Sequence, residues 1–160
     1  MLLIQLFNSN GIFYIILAFF SVIASLTIIP KNYYKKFFLY GLVSGGIADV
    51  VIASLLTLLG LIRYTNFEPF GILGVFSLFT PITWTFAFML FFYFLPVRKV
   101  FLVFYLVAWA GLNWSLGVVM EKLDLFHYYG IQNYISPLMF LIWYSISAYV
   151  FRKYEQRVTA

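Results

Sequence analysis

The sequence predicts an all-α integral membrane protein: five transmembrane helices in one bundle, N-terminus outside and C-terminus in the cytoplasm. Three observations carry that prediction. The 160 residues are 64% hydrophobic and only 9% charged, whereas a soluble domain averages about 45–50% apolar and about 25% charged residues. Five apolar runs approach or exceed the ~20 residues that a span needs. Eight of the ten lysines and arginines fall at the same end of those runs.

The runs follow in order along a single membrane domain covering 1–160. The first is 11–29, closed by Pro30. The second is 37–62, preceded by Lys31, Lys35 and Lys36. The third is 72–95, closed by Pro96 and followed by Arg98 and Lys99. The fourth is 100–120. The fifth is 135–151, bounded by Pro137 near one end and by Arg152, Lys153 and Arg157 at the other. None alternates with the period of two that marks barrel strands. Only helices and closed barrels satisfy a backbone in lipid, so each run reads as a helix.

Charge then sets the orientation. Lysine-rich loops stay cytoplasmic, so the chain reads as a multi-pass protein with its lysine-rich side facing the cytoplasm. Tyr33, Tyr34 and Tyr40 cluster near one interface, and Tyr64, Tyr128, Tyr129 and Tyr134 near the other, as aromatic belts do. A net charge of +5 in a soluble protein would point to nucleic acid. Here the basic residues sit in short loops, so no nucleic-acid partner is expected. The absence of cysteine removes disulfides, thiolate metal sites and cysteine nucleophiles. The first ten residues have no positive n-region and no A-x-A site follows, so no cleavable signal is expected.

One residue resists this apolar background. Asp49 stands near the middle of the second run, where an aspartate costs about 2.5–3.5 kcal/mol to insert. Its helix, read in steps of four, gives Gly41, Gly45, Asp49, Ala53 and Thr57. Residues four apart share a face, and faces of small residues are where membrane helices approach closely. On the fourth run Ala110, Asn113, Gly117, Glu121 and Asp124 also share a face, with Asn113 at a depth like that of Asp49. Thr83, Ser21 and Ser145 hold similar depths in the third, first and fifth runs. The expectation is a polar layer around Asp49, with Asn113 and Thr83 as its hydrogen-bond partners. Simple gluing of helices by polar pairs explains the same residues without a ligand.

Other features are weaker. A shift of 64 residues aligns Asp49 with Asn113, Arg63 with His127 and Tyr64 with Tyr128, which suggests a two-span unit repeated in parallel. Arg63, Glu68, Glu121, Asp124 and His127 form an outer rim of polar residues. Carboxylates beside the single histidine suit general acid–base chemistry or a weak metal site. Ordinary ion pairs of a solvated loop are the simpler reading, and no metal is expected. Pro81 is expected to kink the third helix, with Trp84 beside it. Trp109 and Trp114 flank Asn113 and either line a pocket or pack.

With these residues placed, the pattern resembles an uncharacterised family of small multispan membrane proteins of spore-forming bacteria. The carriers are Asp49, "GLIRY" (Gly60 to Tyr64), Pro81, "FLP" (Phe94 to Pro96) and "LNWSLG" (Leu112 to Gly117). That resemblance covers roughly Gly46 to Gly130 and implies no particular activity. A fainter likeness is to lycopene cyclase membrane domains, which also pair an intramembrane aspartate with a G-x-x-x-Y end and a later proline. The acidic pair that follows the proline in those domains is absent here, where Ile82, Thr83 and Trp84 follow Pro81.

Four functions fit these residues. The first is a bundle that binds a lipid-like or apolar small molecule in a cleft around Asp49, lined by Asn113, Thr83, Trp84, Trp109 and Trp114. The second is a structural subunit that meets a partner protein or another copy of itself through the Gly41/Gly45 face. The others are a small proton-coupled permease using Asp49 and a lipid-modifying enzyme. Ala53 and Gly117 are expected at helix contacts, membrane lipids are the expected surroundings, and no cofactor is indicated.

Overall fold

The computed structural model describes residues 11–66, 70–72 and 74–158. It is built from five helical rods. Helix α1 spans Ile12–Ile28. Helix α2 runs without interruption over Lys31–Leu58. Helix α3 is Phe79–Tyr93, α4 is Lys99–Lys122 and α5 is Gln132–Val158. Helices α2, α4 and the Gln132–Glu155 part of α5 are long and apolar enough to cross a membrane. Helices α1 and α3 are equally apolar but shorter, at 17 and 15 residues.

Four short strands fill the links at one end. Strand β1 (Ile62–Tyr64) follows α2, and β4 (Phe126–Tyr128) follows α4; the two pair antiparallel, with Arg63 opposite His127. Between α2 and α3, β2 (Gly71–Ile72) and β3 (Phe76–Ser77) make a second small ribbon. The boundaries therefore differ from those read off the apolar runs. The second run, expected to reach residue 62, stops as a helix at Leu58. The third, expected from residue 72, begins at Phe79 because a hairpin turning at Gly74 (φ +69°) occupies its start. The fifth begins at Gln132 rather than 135 and continues to Val158. Residues 59–62 and 72–78 are mostly apolar, so hydropathy does not register the change there. The backbone turns instead where glycine accepts a positive φ.

Helices α2 and α4 end in the same way. Leu59 and Leu123 leave the helix, and Gly60 (φ +68°) and Asp124 (φ +57°) take the left-handed conformation. The Gly60 N–H then bonds the Thr57 carbonyl at 3.0 Å and the Leu61 N–H that of Leu56 at 2.9 Å. After α4 the Asp124 N–H bonds the Glu121 carbonyl at 3.1 Å and the Leu125 N–H that of Met120 at 2.9 Å. Both are Schellman caps, which satisfy the last helical carbonyls. They stand 64 residues apart, the shift that aligns Asp49 with Asn113.

The core is aromatic and centred on α3. Phe88, Phe91 and Tyr144 are wholly buried, with the Phe88 and Tyr144 rings stacked 5.0 Å apart. Helix α1 lies on α3, where the Ser25 hydroxyl donates to the Phe86 carbonyl at 2.8 Å. Helix α2 also lies on α3, through Gly41, Gly45 and Gly46. A Cβ on Gly45 would fall on the Trp84 carbonyl oxygen, and one on Gly41 on that of Thr85. The face expected to receive a partner chain is thus filled by the chain's own third helix.

Residues Leu42–Ile47 of α2 wind as a π-turn, a feature that recurs near functional sites. There the Trp143 indole N–H donates to the Ser44 carbonyl at 2.9 Å, tying α5 to α2. Pro81 does not kink α3. It is the third residue of that helix, where its absent N–H has no intrahelical partner to lose. Its carbonyl accepts from the Thr85 hydroxyl at 2.7 Å.

At the opposite, lysine-rich end, Lys36 pairs with Glu155. Arg152 donates to the carbonyls of Pro96 and Val97. These contacts join α2, the α3–α4 link and α5 around a cluster of Phe37, Phe92 and Phe151.

Candidate functional site

Asp49 lies nine residues before the end of α2, about 14 Å along the axis. It therefore sits in the half nearer the strands, not at the helix midpoint. It is buried, with 4% of its surface exposed. Its Oδ2 has no hydrogen-bond partner. The Thr80 hydroxyl stands beside the carboxyl, but the single Thr80 proton goes to the Ser77 carbonyl at 2.9 Å.

The expected partners are engaged elsewhere. The Asn113 amide nitrogen donates to the Trp109 carbonyl at 2.8 Å and to the Tyr144 hydroxyl at 2.7 Å. The Thr83 hydroxyl donates to the Phe79 carbonyl one turn back. Ser21 and Ser145 do the same with Leu17 and Leu141. A short hydroxyl side chain in a helix reaches its own i−4 carbonyl more readily than a neighbouring helix. The polar layer accordingly resolves into separate bonds, within one helix for the hydroxyls and across to Tyr144 for Asn113, and Asp49 is left out of them.

Asp49 instead lines a cavity of about 90 Å³. Its other walls come from Ala53 on α2, Ile62 and Tyr64 on β1, Trp84 on α3, Phe126 and Tyr128 on β4, and Gln132, Ser136, Phe140 and Trp143 on α5. Gln132 and Ser136 are 3% and 2% exposed. The Gln132 Oε1 and the Ser136 Oγ, like the Asp49 Oδ2, have no hydrogen-bond partner. A buried polar atom without a partner costs about 1–3 kcal/mol. Three of them border one small chamber.

A second cavity of about 340 Å³ adjoins it. Tyr64, Trp84, Phe126, Tyr128 and Phe140 line both. The larger one extends to Leu17, Phe20 and Ser21 of α1 and to Trp109, Leu112 and Asn113 of α4. Phe20 and Leu112 are 70% and 55% exposed, so its rim reaches the apolar flank of the bundle.

Of the six expected ligand-binding residues, Asp49 belongs to the small cavity and Asn113, Thr83 and Trp109 to the large one. Trp84 belongs to both. Trp114 lines neither and points outward, 40% exposed. Ala53 borders the Asp49 chamber and Gly117 the larger cavity. Gly117 also leaves room for Tyr128, whose hydroxyl lies 2.6 Å from where a Cβ would stand.

Three of the outer-rim residues meet. His127 pairs with Asp124 at 2.8 Å on the surface. Arg63 faces His127 across the β1–β4 ribbon. Glu68 lies outside the described residues. Among those described, no group of three histidine, cysteine or acidic side chains could hold a metal ion.

Burial pushes the Tyr128 hydroxyl up to about 12, and the nearby Ser136 hydroxyl opposes that rise without reaching the geometry of a full hydrogen bond. Burial also raises Tyr64, reinforced by the nearby Asp49 carboxyl. Both phenols stay protonated and able to donate at physiological pH.

The residues missed from sequence are Tyr64, Gln132, Ser136 and Trp143. Gln132, Ser136, Phe140 and Trp143 recur at spacings of four, four and three, which is one helical face. That face is readable only once α5 is known to start at Gln132. Comparison of the chain with protein-family models, with curated proteins and with solved structures returns no match.

Proposed function

We propose that this chain is a five-span protein of the bacterial cytoplasmic membrane that binds a small amphiphilic molecule in the paired cavities beside Asp49. One observation carries the reading: a chamber bordered by three unpartnered polar groups shares an aromatic wall with a larger apolar cavity that reaches the bundle's flank. Mostly apolar, aromatic-lined hollows with a few converging polar groups are the usual form of a small-molecule site. An ionisable residue kept inside a membrane segment points to function.

The membrane placement draws on apolar side chains turned outward along four of the five rods, such as Phe19, Val51, Phe104 and Ile146. Water would penalise that surface, while acyl chains solvate it. The five-span topology accepts α1 and α3 as short spans. Helix α3 is the most enclosed, so protein rather than lipid covers its ends, and irregular backbone next to it is tolerated for the same reason. Orientation rests on the basic end, with Lys31, Lys35, Lys36, Arg98, Lys99, Arg152 and Lys153 facing the cytoplasm. Docking of a partner subunit would need a face other than Gly41/Gly45, which α3 occupies.

Two measurements test the reading. Single cysteines are clean reporters in a chain that has none. Cysteines placed at Tyr129 and Lys153 should react with an impermeant thiol reagent from outside and from inside, respectively. Extraction of the gently purified protein should release a bound small molecule in stoichiometric amount. Its absence from preparations in several mild detergents would remove the binding function.

A further inference from the structure

Building on that binding site, we infer that its ligand carries a primary ammonium head, seated against Asp49, on an apolar tail that lies in the larger cavity. The unpartnered groups decide the head. Asp49 offers a carboxyl oxygen, Gln132 an amide oxygen and Ser136 a hydroxyl, all buried and all bordering one chamber. The first two are acceptors in their ordinary states. The complementary group is therefore a donor with several N–H bonds, which a primary ammonium supplies three at a time.

The charge agrees. Among the described residues no lysine, arginine or histidine lines either cavity, so no described cation faces Asp49 there. The chamber's remaining walls carry the rings of Tyr64, Trp84, Phe126, Tyr128, Phe140 and Trp143. Aromatic faces attract cations, and more strongly when the site is dry. A carboxylate or phosphate head would meet a like charge and no cation.

Size and position set the rest. A chamber of about 90 Å³ holds about three water-sized groups, enough for an ammonium and a short stem but not a long chain. The tail must continue past the shared aromatic wall into the second cavity, whose lining is apolar apart from a few hydroxyls and the satisfied Asn113. The exposed rim at Phe20 and Leu112 admits such a molecule sideways from the bilayer. The lack of basic residues disfavours a phosphate next to the ammonium. This points to a free alkylamine rather than a phosphoethanolamine lipid.

The experiment uses the full chain in lipid nanodiscs, with octylamine, octanol and octanoate as probes and tryptophan fluorescence as the readout. Octylamine should bind at least tenfold more tightly than octanol, and octanoate most weakly. Asp49→Asn should reduce the octylamine-to-octanol ratio by tenfold or more, and Gln132→Leu by a smaller factor. Trp114→Phe, which touches neither cavity, should leave the ratio unchanged. Nanodiscs of phosphatidylethanolamine and of phosphatidylglycerol separate the sources. Equal octylamine affinity in both assigns the site to a free amine, and competition only in the former assigns the ammonium to the lipid. Equal binding of amine and alcohol, unaltered by Asp49→Asn, overturns the ammonium head but leaves the amphiphile site standing. Failure of every probe to bind overturns the site itself.

Discussion

Helices α2 and α4 are two versions of one local plan. Each ends in a Schellman cap, turns through a left-handed residue and feeds a short strand, and the two strands pair with each other. Shifting one onto the other by 64 residues superposes Gly60 on Asp124, Ala53 on Gly117 and Asp49 on Asn113. The difference lies in that last pair. Asn113 is buried and donates two hydrogen bonds, one to its own helix and one to Tyr144 on α5. Asp49 is equally buried, yet its Oδ2 has no partner. A polar side chain that is fully engaged ties a structure together. One left unengaged, in a cavity, is free to engage something that arrives.

The largest effect that would break this comparison lies on the face of α2 that α4 lacks. Gly45→Leu forces a side chain onto the Trp84 carbonyl and should destabilise the bundle by about 3 kcal/mol. Loss of the folded fraction on size-exclusion chromatography checks it. Next is Asn113→Leu, which strips Tyr144 of its buried partner and should lower stability by about 1–3 kcal/mol. Denaturation in mixed micelles, followed by tryptophan fluorescence, gives the number.

Asp49→Leu should act in the opposite direction. It removes an unpaired polar group from an apolar chamber, and the same titration should show a gain of about 1–2 kcal/mol. A loss of stability there would mean that Asp49 is a structural partner like Asn113. The smallest effects belong to the caps. Gly60→Ala places a Cβ at positive φ and should cost about 1 kcal/mol. Asp124→Gly should change stability by less than about 0.5 kcal/mol, because aspartate already tolerates that conformation.

The helical class was legible from composition and from the five apolar runs, and so was the burial of Asp49. Four-residue spacing also identified the Gly41/Gly45 face as a close helix contact, though the helix in contact with it is α3 of the same chain. The partners of Asp49 were not legible. Depth along a run places residues in a layer, but it does not say that Asn113 will find Tyr144 or that Thr83 will bond its own helix. Helix ends were obscure for a related reason. Leu61 and Ile62 are as apolar as any helical neighbour, and the left-handed backbone at Gly60 turns the chain out of the helix into β1. The walls contributed by Tyr64 and Gln132 come from segments outside the apolar runs, so the site stayed half-drawn.

The wide turn at Leu42–Ile47 carries a consequence for how α2 is phased. Four residues overshoot one turn of a regular helix by about 40°, so a stripe read in steps of four slews steadily around the rod. Within a π-turn four residues undershoot instead, because its hydrogen bonds reach one residue further. The two errors offset each other, and Gly41 and Gly45 can meet α3 while Asp49 and Ala53 still look into the hollow. Deleting one residue from that turn would act like rotating a camshaft against its timing mark. Everything beyond it would swing by about 100°, carrying the carboxyl off its chamber while leaving the composition of the helix almost untouched.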